Sequence, residues 1–117
     1  MLDLIESKFT ITKENLKRLV AEHYRDEQEL RERLRQLGWE LLYDPNGNVI
    51  GIEQVSTMPI YSALFMLAPY VKSGSYIAFM DETHAIFRYY YEDGEMYVQK
   101  GSICFNEVQY VVSDILE

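Results

Sequence analysis

The chain has few of the residues from which catalytic and metal sites are built. Its 117 residues include one cysteine, Cys104, and two histidines, His23 and His84. A single cysteine excludes a disulfide within the chain and the repeated thiol spacing of a structural zinc site. The three residues are scattered along the sequence, so no pair of nucleophile and base is indicated. The sequence therefore predicts a protein that is not an enzyme and has no metal site and no cofactor.

Long apolar runs and glycine-rich loops are also scarce. The longest apolar run, residues 63–68, stops at Pro69 and is far shorter than a membrane span. Residues 1–5 are too short for the apolar region of a signal peptide. None of the six glycines lies in a glycine-rich loop before a helix, as a phosphate cradle requires. We expect a soluble, cytoplasmic protein with no membrane partner, formed by a single α+β domain over residues 1–117.

Basic residues are rare in the C-terminal two-thirds of the chain. Residues 1–38 contain eight acidic and eight basic side chains, whereas residues 39–117 contain eleven acidic and three basic ones. The formal charge of −8 therefore arises entirely from the second region, which also holds nine of the ten tyrosines. Such a charge disfavours direct binding to nucleic acid and favours a basic protein partner. Tyrosine on an acidic surface is typical of a binding interface.

Two amphipathic helices are predicted near the N-terminus. Thr12 is the expected N-cap of helix A, whose apolar stripe consists of Leu16, Leu19, Val20, His23 and Tyr24. Asp26 stands three residues before Glu29 in a capping-box arrangement, which predicts the start of helix B. Gly38 is the expected left-handed residue at its end. One continuous helix is the alternative.

A hairpin and a third helix are predicted next. Strands over residues 39–43 and 48–55 flank Asn46 and Gly47, a strong hairpin signal. Ser56 or Thr57 is the expected cap of helix C, which runs through Leu67 and is apolar nearly all round. We expect helix C to be covered on more than one side.

The C-terminal region is predicted to be an antiparallel meander of three strands, over residues 75–80, 85–91 and 95–105. In residues 106–117, Val108, Val111, Val112 and Ile115 have helical spacing and predict a short helix D. The rival prediction is a strand over residues 108–112, because Val and Tyr are poor helix formers.

The turn at Asp93 and Gly94 predicts which tyrosines share a face of the meander. A two-residue turn places Tyr90 opposite Tyr97, and a three-residue loop at 82–84 adds Tyr76 to the same face. The opposite face, with residues such as Phe79 and Tyr91, is the expected core. The candidate partner-binding residues on the outer face and its turn are Tyr76, Arg88, Tyr90, Glu92, Asp93, Glu95 and Tyr97. Two alternatives are that the tyrosine pairs only stiffen the sheet and that helices A and B cover this face.

Parts of the sequence suggest a winged helix and a calcium loop, and both motifs are rejected. The order of helices A and B and the hairpin resembles a winged helix, but acids such as Glu14, Glu27 and Glu29 stand four residues before arginines, which predicts a solvated face of ion pairs. Asp44, Asn46 and Asn48 match the first spacings of a calcium loop. The glycine and glutamate that such a loop needs later are missing, so a hairpin turn explains these residues.

Several short segments carry a resemblance. They are Ala68–Pro69–Tyr70–Val71, Gly74–Ser75–Tyr76–Ile77, Phe87–Arg88–Tyr89 and Asp93–Gly94. Together this pattern resembles short uncharacterised bacterial and mobile-element proteins and covers about half the chain. The resemblance implies a bacterial or phage context and assigns no functional residue.

The sequence thus favours a non-enzymatic acidic module that binds a basic protein. Inhibitors of nucleic-acid-handling proteins or toxins, such as anti-CRISPR and immunity proteins, act by occluding a basic surface in this way. The first alternative is a homo-oligomeric structural protein, in which the tyrosine face or helix C forms a homodimer. The second is a small-molecule-binding domain with a pocket between helix C and the sheet.

Overall fold

The chain folds as a mixed α+β structure in which two antiparallel sheets share a core with three helices. The computed structural model describes the backbone of residues 2–104 and 109–115 and the side chains of residues 2–101. The elements in chain order are β1 (Asp3–Lys8), α1 (Lys13–His23), α2 (Glu27–Gln36), β2 (Trp39–Tyr43), β3 (Val49–Gln54), α3 (Ser62–Met66), a 3₁₀ helix (Ala68–Tyr70), β4 (Tyr76–Met80), β5 (Ile86–Glu92), β6 (Glu95–Cys104) and β7 (Gln109–Ile115).

The two N-terminal helices begin where the sequence predicts, and they are separate. Thr12 Oγ1 accepts a hydrogen bond from the backbone N–H of Asn15 at 3.2 Å and caps α1. Asp26 Oδ1 accepts one from the N–H of Glu29 at 2.9 Å and caps α2. The Glu29 carboxylate accepts in return from the N–H of Arg25, one residue before the cap. These bonds satisfy N–H groups that a helix start leaves without partners.

The predicted hairpin is confirmed as the two-stranded sheet of β2 and β3. Its turn is closed by Asp44, whose Oδ1 accepts hydrogen bonds from the backbone N–H groups of Asn46 and Asn48, each at 2.9 Å. These bonds confirm that Asp44 and its neighbours build a turn. A hydrogen bond from the Asn48 side-chain amide to Asp44 Oδ2, at 3.1 Å, and the backbone bonds lower the pKa of Asp44. The hairpin joins the rest of the fold through a backbone bridge between Ile11 and Val49.

The larger sheet has five antiparallel strands in the order β1, β4, β5, β6, β7. The meander of β4, β5 and β6 is confirmed, with the two-residue turn at Asp93 and Gly94. Both turn residues have positive φ, +49° and +82°, as a type I′ turn requires. The loop before β5 has three residues between Asp81 and Ala85, whose backbones are hydrogen bonded at 3.0 Å.

The core lies between one face of the large sheet and a layer made by the hairpin and the helices. Each unit contributes fully or nearly fully buried side chains, namely Phe9, Ile77, Phe79, Tyr91, Trp39, Val49, Ile52, Leu16, Leu19, Leu30, Leu34, Leu64 and Leu67. The polar atoms buried there are satisfied: Tyr91 Oη donates to the carbonyl of Leu64 at 3.0 Å, and Trp39 Nε1 donates to the carbonyl of Ile60 at 2.9 Å. The polar tips of the large aromatic residues thus tie the sheet and the hairpin to the segment around α3.

The prediction for helix C is wrong in length and in burial. The helix spans only Ser62–Met66, and neither Ser56 nor Thr57 caps it. The preceding segment is held by tertiary hydrogen bonds instead, from the N–H of Val55 to the carbonyl of Gly38 and from the N–H of Ile60 to the carbonyl of Leu37. These bonds fix residues 55–60 as an irregular connection. Ala63 and Leu64 of α3 are buried, but Phe65 and Met66 are exposed, so the helix is not covered on more than one side.

The prediction for helix D is also wrong. Residues Gln109–Ile115 form β7, which pairs with Gln99–Cys104 of β6, whereas Val108 lies outside the described residues. A strand satisfies the ladder groups of β6 and suits the β-branched residues of this segment, so the rival prediction was the better one.

Strand β1 was not predicted from the sequence. It pairs with β4, and its register shifts between Leu4 and Glu6, so apolar and polar residues do not alternate cleanly along it. A bulge of this kind removes the period-two pattern by which a half-buried strand is recognised.

Replacing Gly38 with alanine tests the junction between α2 and β2. Gly38 has φ +96°, and a Cβ there would lie 2.8 Å from Cα and Cβ of Pro59. We expect Gly38→Ala to lower the free energy of unfolding by about 2–4 kcal/mol, because backbone strain and overpacking add. Gly74→Ala is the control, since its φ is +93° but nothing lies within 4 Å, and we expect about 1–2 kcal/mol. Equal losses in urea unfolding would contradict the close contact.

Candidate functional site

Three tyrosines form one row across the face of the large sheet that is turned away from the core. Tyr76 pairs with Tyr90 in the ladder of β4 and β5, and Tyr90 pairs with Tyr97 in the ladder of β5 and β6, as the sequence predicts. Lys8 pairs with Tyr76 from β1 and extends the row by one residue. We call this surface, with Arg88 and Gln99, the tyrosine face.

The helices do not cover the tyrosine face. Tyr76, Tyr90 and Tyr97 are half-buried, and none of them belongs to the core cluster. The apolar stripes of α1 and α2 pack in that cluster with Ile77 and Phe79, which point to the opposite face. The alternative in which helices A and B cover these rings is therefore wrong.

Arg88 is fixed at the centre of the tyrosine face. Its guanidinium carbon lies 4.6 Å from the ring centroid of Tyr76 and 5.6 Å from that of Tyr90. Its Nε donates to Oε1 of Gln99, a side chain with little exposure. Ala78 is the β4 partner of Arg88 and is fully buried although it lies on the outer face. Cation–π contacts on two sides and a hydrogen bond hold the arginine in one position.

Each tyrosine of the row donates its hydroxyl hydrogen to a carboxylate of this chain. Tyr90 donates to Glu92 at 2.9 Å, and Tyr97 donates to Glu95 at 2.7 Å. Tyr76 donates to Glu6 of β1 in the same way. The bonded carboxylates raise the pKa values of Tyr90 and Tyr97. Because each phenol hydrogen is already bonded to a carboxylate, the polar side-chain atoms of these tyrosines and carboxylates that remain available are hydrogen-bond acceptors.

The turn beside the row concentrates negative charge. Glu92 and Glu95 face each other across the ladder, and Asp93 lies between them in the turn. None of the ion pairs formed among the described residues involves these three carboxylates. Like charges opposite each other are destabilising in a ladder, so the phenol hydrogen bonds offset part of a local cost.

Other acidic residues of the same region are engaged elsewhere. Glu40 pairs with Arg35 at 2.8 Å, and Asp81 accepts hydrogen bonds from Thr83 and Ala85 in its own turn. Together with Asp44 in the hairpin turn, these residues stabilise local structure. The turn at residues 92–95 is thus a concentration of carboxylates without ion-pair partners in the described part of the chain.

Of the three ion pairs that the sequence predicts on the helix surface, one is present and two are replaced by other pairs. Glu27 and Arg31 form the predicted pair at 2.6 Å. Glu29 pairs with Arg25 at 3.9 Å instead of Arg33, and Arg18 pairs with Glu22 at 3.5 Å instead of Glu14. Arg18 also lies 5.1 Å from the ring centroid of Tyr70, which draws it away from the start of α1.

A cleft of about 750 Å³ borders the acidic turn, and Gly94 and Glu95 belong to its lining. It is bounded by α1, α2, the segment from α3 to the 3₁₀ helix, and the start of β6. Phe65, Met66 and Met96 give it apolar walls, and Glu95 and Tyr97 belong both to the cleft and to the tyrosine face. The sequence predicts a pocket between helix C and the sheet only as an alternative, and it does not predict that α1 and α2 form part of its walls.

A small hydrogen-bonded group lies in the wall of the cleft. The Tyr70 hydroxyl donates to the Glu22 carboxylate and lies 2.9 Å from Nε2 of His23. The hydrogen bond from Tyr70 lowers the pKa of Glu22. His84 is far along the chain in the turn before β5, and the side chain of Cys104 lies outside the described ones. Within residues 2–101, no group of three or more His, Cys, Asp or Glu side chains is arranged to hold a metal ion.

The phenol hydrogen bonds can be tested by titration without any partner. The structure predicts that Tyr90 and Tyr97 ionise above the pH typical of free tyrosine, because each phenolate would lie beside a carboxylate. Glu95→Gln should lower the pKa of Tyr97 more than that of Tyr90, and Glu92→Gln should lower that of Tyr90 more. Tyrosine ring signals followed by NMR against pH measure both. Identical responses of the two rings to both substitutions would contradict the assigned pairs.

Comparisons leave the chain without a family assignment. In the described residues, no helix combines the length and the apolar character needed to cross a membrane. Comparison of the chain with protein-family models, with curated proteins and with solved structures found no match.

Proposed function

We propose that this chain is a non-enzymatic acidic binding module whose tyrosine face and acidic turn occlude a basic protein. The observation that carries the proposal is the row of Tyr76, Tyr90 and Tyr97 whose hydroxyl hydrogens are all given to carboxylates of the same chain. The surface therefore offers acceptors and aromatic area to an incoming molecule. Lysine and arginine are the side chains that supply donors and positive charge to such a surface.

The acidic turn accounts for the first step of such an association. A net charge of −8 together with carboxylates at Glu92, Asp93 and Glu95 attracts a positively charged protein before contact is made. The same charge opposes direct binding to a phosphate backbone. Attraction of this kind raises the association rate, while buried aromatic side chains lower the dissociation rate.

The rigidity of the tyrosine face accounts for the second step. Arg88 is held between two rings, and the three phenols are anchored at their hydroxyl ends. Side chains that are already ordered lose little conformational entropy on binding. Tyrosine and arginine are also the residues that most often dominate the binding energy of an interface.

An inhibitor of a basic nucleic-acid-handling protein or of a toxin fits these properties best. Such a protein, like an anti-CRISPR or immunity protein, needs only to cover a positively charged functional surface and to bind it tightly. A homodimer through the tyrosine face is less favourable, because it brings two acidic turns to one interface.

Charge removal at the acidic turn should slow association with the native partner, identified by pull-down from the host cell. We expect Glu92→Gln with Glu95→Gln to lower the association rate about tenfold at low salt, with a smaller effect at high salt. Glu53→Gln with Glu14→Gln is the matched control, because it also removes two charges, at exposed residues of β3 and α1 outside the turn. Surface plasmon resonance at two salt concentrations measures both. Equal effects of the turn and control substitutions would mean that only total charge matters.

Truncation of the tyrosines should speed dissociation from the same partner. Tyr90→Ala and Tyr97→Ala should each weaken binding by about 1–2 kcal/mol, as expected for central aromatic anchors. Thermal unfolding confirms that the variants fold. A loss below about 0.5 kcal/mol in both variants would count against the tyrosine face.

Sedimentation of the free chain at several concentrations tests the homodimer, in which the tyrosine face would already be occupied by a second copy of the chain.

A further inference from the structure

The cleft has the size and lining of a binding site, and no side chain of the described residues occupies it. Its volume of about 750 Å³ lies in the range of sites that enclose a ligand or a large side chain. Phe65 is 61% exposed and Met66 is 52% exposed, although both are apolar and stand at its edge. Large apolar side chains exposed next to a concave surface mark an interaction site. Methionine adapts its shape to different occupants.

The charges around the cleft favour an occupant that carries positive charge. Two carboxylates line the cleft, those of Glu29 and Glu95. The other ionisable side chains in its lining are Arg33, His23 and three tyrosines. Glu29 already accepts the N–H of Arg25, whereas the hydrogen bond that Glu95 accepts within residues 2–101 comes from a phenol, and Glu95 faces Glu92. Glu95 also lies at the boundary between the cleft and the tyrosine face. A cation at this boundary would relieve the repulsion between the two carboxylates.

We infer that the cleft receives a large apolar side chain of the basic partner, with a neighbouring lysine or arginine of that partner bound at Glu95. This inference rests on the proposed function, and it adds a second contact region to it. Tyr97 and Glu95 make the two regions continuous, so one segment of a partner can touch both. A second copy of this chain is a poor occupant, because its surface is acidic. The class of ligand is therefore a peptide segment in which an aromatic or aliphatic residue is flanked by basic ones.

The methionines provide reporters inside and outside the cleft. Met66 and Met96 line it, whereas Met58 and Met80 do not. Labelling the methionine methyl groups of the whole chain with ¹³C allows each to be followed by NMR. The probes are the capped peptides Lys-Lys-Phe-Lys-Lys, Lys-Lys-Ala-Lys-Lys and Glu-Glu-Phe-Glu-Glu, and free phenethylamine. Ring signals of Tyr76 and Tyr90, which do not line the cleft, report on the tyrosine face in the same samples.

The basic phenylalanine peptide should give saturable shifts at Met66 and Met96 and none at Met58. Its affinity should exceed that of the alanine peptide about tenfold, the effect of burying an aromatic side chain. The acidic peptide should not bind. Phe65→Ala should weaken the phenylalanine peptide severalfold, whereas Met58→Ala, at a residue that is 83% exposed outside the cleft, should not.

Different failures of this experiment have different meanings. If both basic peptides shift Tyr76 and Tyr90 equally and leave Met66 and Met96 unchanged, the cleft inference is overturned and the proposed function stands. If the cleft methionines respond but the tyrosines do not, the cleft is a binding site and the proposed role of the tyrosine face is contradicted. If phenethylamine alone binds as tightly as the phenylalanine peptide, the cleft is a small-molecule site and the inference is overturned.

Discussion

The register of β5 against β6 determines which side chains of these strands face outward and which enter the core. It is fixed by the two-residue turn at Asp93 and Gly94, where both residues adopt positive φ. With this register Tyr91 enters the core and donates to the carbonyl of Leu64, while Tyr90 faces outward. A slip of one residue would exchange the two faces and bury the carboxylates of the turn. The core and the candidate site therefore depend on the same turn.

The tyrosine face joins aromatic area to negative charge through hydrogen bonds between them. Glu92 and Glu95 face each other, and each accepts a hydrogen bond from a phenol that stands two residues away on its own strand. The phenols thereby hold the carboxylates in place, and the carboxylates orient the phenols. A basic partner would meet acceptors that are already positioned, so binding would require little rearrangement.

Features set by neighbouring residues were predictable from the sequence, whereas those set by distant contacts were not. The caps at Thr12 and Asp26 and the turn at Asp93 depend on local chemistry, and all three are confirmed. The length of helix C was wrong because hydrogen bonds to Gly38 and Leu37, far back in the chain, override local helix preference. The sequence did not predict β1, because its bulge disrupts the alternation of apolar and polar residues. Glu6 and Lys8, which β1 places at the end of the tyrosine row, were therefore not predicted there. The tyrosine row was predicted, but the anchoring of Arg88 by Gln99 and the contribution of α1 and α2 to the cleft required the folded structure.

We propose that the uncovered tyrosine face is where a basic partner binds. Hydroxyl-radical footprinting of the chain, free and bound to its native partner, tests this claim most directly because it reads each tyrosine side chain separately. The account predicts that the partner protects Tyr90 and Tyr97 and leaves Tyr43, which stacks on Arg31 at 4.7 Å on the helical side, as reactive as before. Protection of Tyr43 with unchanged reactivity of Tyr90 and Tyr97 would contradict it.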